Sequence, residues 1–181
     1  MKKIMLLGCL VFSEMLASAQ YKTFRSPLTI GVDLGIPAYT AVGDMTGVLT
    51  GMHIKKEWRA STHFAASLSA GYNYFSGKVR SFDDKEVQHF SILPVLAGVK
   101  YYGWKKYFLG FETGLNIGLD ANTSTRLALV PSLGAMLPVG KKQLEVALRY
   151  SGTKLGSTFP EASLLNRGGY SFLAIRLGWQ L

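Results

Sequence analysis

His89-Phe90-Ser91 sets an imidazole two residues from a hydroxyl, the pair from which a histidine-activated serine nucleophile is built. Such a unit also needs a carboxylate to orient the imidazole. No Asp or Glu occurs between Ser91 and Glu112, so the local orienting acid is missing. The other histidines, His53 and His63, stand at no metal-ligand spacing from each other or from a carboxylate. No phosphate-binding loop or dinucleotide fingerprint occurs, and the glycines follow a strand alternation instead. The sequence therefore assigns no catalytic, cofactor-binding or metal-ligating residue, and a non-enzymatic protein is expected.

Glu112, Glu145, Arg149 and Arg176, with Lys100, form a second set of chemically capable residues. Their meaning depends on the elements that carry them. Glu112 lies in "YFLGFETGLNIGLD", residues 107 to 120, which alternates two kinds of residue. Tyr107, Leu109, Phe111, Thr113, Leu115, Ile117 and Leu119 fall on one face of a strand. Phe108, Gly110, Glu112, Gly114, Asn116, Gly118 and Asp120 fall on the other.

Seven further segments share this period: 28–36, 48–58, 64–75, 89–102, 126–137, 143–151 and 170–181. No convincing long helix and no apolar run of 18 residues follows the N-terminal segment. "SILPVLAGV" in the fourth strand is apolar on both faces and leaves its facing open. Pro94 there and Pro131 in the sixth strand cannot donate to a ladder, so each is expected to mark a bulge. The connections "RAST", "GWKK" and "VGKK" are short. Those at 37–47, 76–88 and 152–169 are long, and "ANTST" at 121–125 is an exception. Eight strands with this alternation describe an antiparallel up-and-down barrel.

The first 19 residues stand apart. Lys2 and Lys3 precede an apolar run, Ile4 to Phe12, and Ala17-Ser18-Ala19 supplies an A-x-A site, the order of a secretory signal peptide. Residues 20–181 are then the barrel domain. "LLGC" at Cys9 has the look of a lipidation site, but four apolar residues before the cysteine fall short of the required run. With Cys9 removed the mature chain has no cysteine, which excludes disulfides. The net charge of +9 falls to +8 once Lys2, Lys3 and Glu14 leave. The basic residues come in short pairs at turns rather than as a stripe, so a membrane surface is expected as partner and nucleic acid is not.

Which face meets which solvent follows from the polar set. A soluble barrel carries interspersed charge outside. Here charged residues are 17% of the chain and gather at turns and loops. An outward apolar face and an inner face of glycine, serine, alanine and a few charges instead suit a narrow barrel in lipid. Trp58, Tyr101, Tyr102, Trp104, Tyr107 and Trp179 lie at strand ends beside short turns or at the C-terminus. Tyr72, Tyr74, Tyr150 and Tyr170 lie beside long loops. Two aromatic girdles are expected. The inner charges should then pair across the lumen, because a buried unpaired charge is costly.

Given "ASAQ", "LPVLAGVKYYG" and the terminal "FLAIRLGWQL", the chain resembles the small eight-stranded outer-membrane β-barrel proteins of Gram-negative bacteria, of the OmpX and OmpA-barrel type. It is closest in flavour to the Bacteroidetes "outer membrane protein beta-barrel domain" family, which includes PorT-like proteins. The resemblance implies an all-β, eight-stranded antiparallel transmembrane barrel in the cell outer membrane, with lipids and lipopolysaccharide around it. It implies recognition of Leu173, Ile175, Leu177, Trp179 and Leu181 by the barrel-assembly machinery; Leu181 departs from the usual final phenylalanine. A monomer is expected, with extracellular contacts through loops 76–88 and 152–169. His89-Phe90-Ser91 resembles the H-x-S pair of lipid A deacylases, but the asparagine that follows there is Ile92 here. A structural or surface-interaction role is expected, with a narrow pore, a secretion accessory and a lipid A-modifying enzyme as alternatives.

Overall fold

The computed structural model describes residues 26–40, 46–77, 89–104, 106–120, 123, 125–153 and 170–181. Residues 1–25, with the expected signal segment and Cys9, and residues 41–45, 78–88 and 154–169 of the long connections lie outside the described residues. Eight strands follow in chain order: β1 (Leu28–Thr40), β2 (Thr46–Arg59), β3 (Phe64–Gly77), β4 (Phe90–Tyr101), β5 (Tyr107–Gly118), β6 (Arg126–Val139), β7 (Lys142–Thr153) and β8 (Tyr170–Gln180). Each pairs antiparallel with the next, and β8 returns to pair antiparallel with β1, closing an all-β barrel. Closure removes every sheet edge, which a sheet needs if its backbone is to be satisfied in lipid.

The short connections are tight. Gly140 and Lys141 alone join β6 to β7, and Gly140 has a φ of 62°, the left-handed conformation that two-residue hairpin turns require. Between β2 and β3 the Ser61 hydroxyl accepts from the amides of His63 and Phe64 at 3.2 and 2.9 Å.

The alternation survives in space. Ile30, Val32, Leu34 and Ile36 of β1 are exposed on the outer wall, as are Leu109, Phe111 and Leu115 of β5. Thr29, Asp33, Phe108, Glu112 and Asn116, on the opposite parity, are buried in the lumen. The open question about the fourth strand is resolved: Ile92, Leu96 and Lys100 point inward, while Val95, Val99 and Tyr101 point outward.

Pro94 and Pro131 do not bulge, contrary to the sequence expectation. The β3–β4 ladder pairs Ala70 with Val95 and resumes at Asn73 with Ile92 on the same register. The β6–β7 ladder likewise pairs Leu129 with Gly152 and resumes at Ser132 with Arg149. Each proline interrupts a ladder locally, and the pairs on both sides hold the register. The shifts fall elsewhere, between Pro37 and Tyr39 and between Thr46 and Leu49, at the long-connection end.

Three apolar clusters occupy the lumen. Leu49, Phe75, Phe90, Ile92, Phe172 and Ala174 fill the long-connection end, with Phe75 stacked on Phe90 at 4.3 Å. Ala65, Tyr102, Phe108, Met136 and Ala147 fill the short-turn end. Leu96, Ala128 and Val130 form a third, smaller group. Eight strands leave an interior that side chains can fill.

Candidate functional site

The charged groups inside the barrel are where any chemistry or transport would have to occur. Strand parity alone aims them inward: Asp33 on β1, Lys55 and Glu57 on β2, Lys100 on β4, Glu112 on β5, Glu145 and Arg149 on β7, and Arg176 on β8. None is more than 4% exposed. Small neighbours give them room. A Cβ on Gly98 would come within 2.6 Å of the Glu112 Cγ, and one on Gly178 within 3.6 Å of the Glu145 Cβ.

The groups form two clusters. In the first, Arg176 clamps Asp33 with two hydrogen bonds, Nε to Oδ1 at 2.8 Å and Nη2 to Oδ2 at 2.9 Å. Arg149 donates through Nη2 to Glu112 Oε2 at 2.7 Å and reaches Asp33 Oδ2 at 3.5 Å. Arg176 Nη1 also lies 3.8 Å from Glu112 Oε2, and the Ser69 hydroxyl donates to Glu112 Oε1 at 3.5 Å. His53 Nδ1 lies 3.5 Å from Asp33 Oδ2, outside hydrogen-bond alignment. In the second cluster, Glu145 accepts from Lys55 and, at 2.9 Å, from Lys100. Lys100 also lies 3.0 Å from Glu57 Oε2, and Tyr102 donates its phenol to Glu57 Oε1 at 2.5 Å. The Lys100 ammonium stands 4.1 Å over the Phe108 ring.

Four carboxylates, Asp33, Glu57, Glu112 and Glu145, meet four cations, Lys55, Lys100, Arg149 and Arg176. The set is formally neutral, and every member touches an opposite charge. Such a network is what a low-dielectric interior demands, since the cost of desolvation is met only by close, hydrogen-bonded partners. A cavity with room for about one water remains among Lys55, Lys100, Glu112, Glu145, Arg149 and Arg176.

The five inward charges expected from the sequence all lie in this network. Lys100, whose facing was open, bridges Glu57 and Glu145. Asp33, Lys55 and Glu57, which the sequence reading did not single out, complete the network, and His53 lies beside it. Tyr102 was expected in the outer girdle; it is 6% exposed and points into the barrel mouth. Strand β4 ends at Tyr101, and continuing its parity puts Tyr102 on the side of Lys100. The outer positions of Trp58, Tyr101, Trp104, Tyr107 and Trp179 at the short-turn end, and of Tyr72 and Tyr150 at the other, agree with the expected girdles.

His89 and Ser91 do not form a reactive pair. His89 is exposed, its ring 5.9 Å from that of Tyr74. The Ser91 hydroxyl is shared with Tyr72 at 2.9 Å. Asp120 comes close, but its carboxylate accepts from the Ser91 amide at 2.5 Å rather than from an imidazole. Three adjacent residues, Phe90 to Ile92, are buried here, so the alternation itself lapses. His63 sits in the β2–β3 turn, 3.0 Å from the Thr62 hydroxyl. Among the described residues no three His, Cys, Asp or Glu side chains gather as a metal would require.

These features define the class of the fold, a closed eight-stranded β-barrel of the transmembrane type. The chain is similar in structure to Ail, the attachment invasion locus protein of Yersinia pestis, at 13% identity over 86% of this chain and 97% of that one, with a TM-score of 0.50. It is similar also to the outer membrane protein OprG from Pseudomonas aeruginosa, at 13% identity over 86% and 96%, with a TM-score of 0.48. A de novo designed transmembrane β-barrel matches at 15% identity over 88% and 99%, with a TM-score of 0.46. No family model and no curated protein matches the sequence.

Proposed function

We propose that the chain is a non-enzymatic integral outer-membrane β-barrel protein whose filled lumen does not conduct, serving a structural or surface-interaction role. The observation that carries this reading is the neutral ion-pair network. It spans the bore between two apolar clusters, so a permeating ion would have to displace paired charges held in a low-dielectric space. The outer wall supports a membrane setting. It exposes Val32, Leu34, Met52, Leu109, Phe111 and Leu133 side by side around the barrel, a surface that water does not tolerate. In this reading a signal peptide, residues 1–19, directs export, and outer-membrane lipids and lipopolysaccharide surround the wall. Assembly machinery engages β8, and loops 76–88 and 152–169 make any extracellular contact. Loops on a rigid barrel are the usual carriers of such contacts.

Single-channel recording across a planar bilayer tests the reading. The folded mature protein is expected to give no steady current. A reproducible conductance would promote the narrow-pore alternative, for which the water-sized cavity between the charge clusters is the starting point.

A further inference from the structure

All three tryptophans of the chain stand at one end of the barrel. Trp58 closes β2, Trp104 lies between β4 and β5, and Trp179 lies near the end of β8, at exposures of 45%, 77% and 37%. Tyr101 and Tyr107 share their level on the outer wall. Cations are interleaved with them. Arg59 follows Trp58, Lys106 precedes Tyr107, Lys141 lies in the β6–β7 turn and Lys142 opens β7. The three lysines are exposed; the Arg59 guanidinium is half-buried, 4.6 Å over the Tyr102 ring.

No exposed Asp or Glu side chain among the described residues answers them. Among the described residues the acids nearest this end are Glu57 and Glu145, both buried and both bound within the lumen. The one other acid of the described residues outside the lumen, Asp120, is half-buried at the opposite end, beside Ser91. The connections "RAST", "GWKK" and "VGKK" contain no acid at all. The eight-member network in the lumen is formally neutral, and the described side chains of this rim are not.

Interfacial tryptophan and tyrosine rings sit at the level of lipid headgroups. Cations beside them therefore stand among phosphates, where each gains roughly five-fold in preference for an anionic surface over a neutral one. In an outer-membrane barrel the short turns face the periplasm. We propose that the short-turn rim is an anionic-phospholipid site, at which Lys106, Lys141 and Lys142 draw glycerophospholipids of net negative headgroup charge from the inner leaflet into contact with the barrel. Lys56 is not part of it, because its ammonium donates to the Ser26 carbonyl at 2.6 Å and holds the entry to β1. The inference rests on the membrane reading given above.

The tryptophans make the rim its own reporter. The folded protein would be reconstituted in phosphatidylcholine vesicles containing equal fractions of either brominated phosphatidylglycerol or brominated phosphatidylcholine, and tryptophan quenching compared. At low salt the anionic lipid should quench several-fold more efficiently. That preference should shrink near 1 M salt, where screening acts within about 3 Å. It should approach unity in a K106Q/K141Q/K142Q variant and persist in K106R/K141R/K142R. Equal quenching by both lipids in the unmutated protein, or a preference unchanged in the glutamine variant, would overturn the rim site and leave the membrane barrel standing. Quenching by neither lipid would overturn the membrane reading itself.

Discussion

Asp33 and Arg176 are 143 residues apart in sequence and directly opposite each other across the seam that closes the barrel. Their two hydrogen bonds therefore lock the first strand to the last. Removing one partner is the severe change, because it strands the other charge in the lumen; breaking such a buried pair costs about 3–5 kcal/mol. Asp33→Asn would leave Arg176 and Arg149 sharing Glu112 as their remaining carboxylate in the first cluster. We expect Asp33→Asn to lose stability on that scale in a urea titration of the protein folded in lipid vesicles. The double variant Asp33→Leu with Arg176→Met, which removes both charges, should lose less than the two single changes together. An Asp33→Asn protein as stable as the parent would show that the seam does not depend on this pair.

At the scale of the strand, the wall was legible because a period of two is a local property of the chain. A cleanly alternating strand announces its inner and outer residues without reference to its neighbours, and so Leu109 and Glu112 could be assigned to opposite faces from the sequence, whereas "SILPVLAGV" left the fourth strand open. Pairing inside the lumen was less legible. Glu145 belongs with Lys55 and Lys100 rather than with Arg149, four residues away on its own strand. That choice depends on the tilt and stagger of the closed sheet, which no single strand encodes. The prolines misled for a related reason: a missing donor interrupts a ladder, but the pairs on either side fix the register. The lipid-facing assignment has its own test on β5. Phe111 is outward near the middle of the strand, and Tyr107 is outward at its rim. Phe111→Arg should cost about 2–4 kcal/mol and Tyr107→Arg about 0–1 kcal/mol in the same vesicle titration. Equal costs at the two depths would remove the bilayer from the explanation of the outer face.

For the whole molecule, inside and outside are reversed relative to a soluble barrel: the paired charges are within and the branched aliphatic side chains are without. A wall of this kind suits lipid rather than water. Among the described residues no helix is long and apolar enough to cross a membrane, so insertion would rest on the closed sheet. In the proposed reading the N-terminal order of basic, apolar and small residues would supply the route of export, and the absence of cysteine after residue 9 would let the exported chain fold without an oxidant. We therefore expect the mature chain to begin at Gln20 and to sediment with the outer membrane in the cell that makes it. Intact-mass measurement of the purified protein should match residues 20–181, and alkaline extraction of the membranes should leave the protein behind. Retention of residues 1–19 would overturn the cleaved signal segment, and recovery of the protein from the soluble periplasm would mean that the apolar wall is covered by something other than lipid.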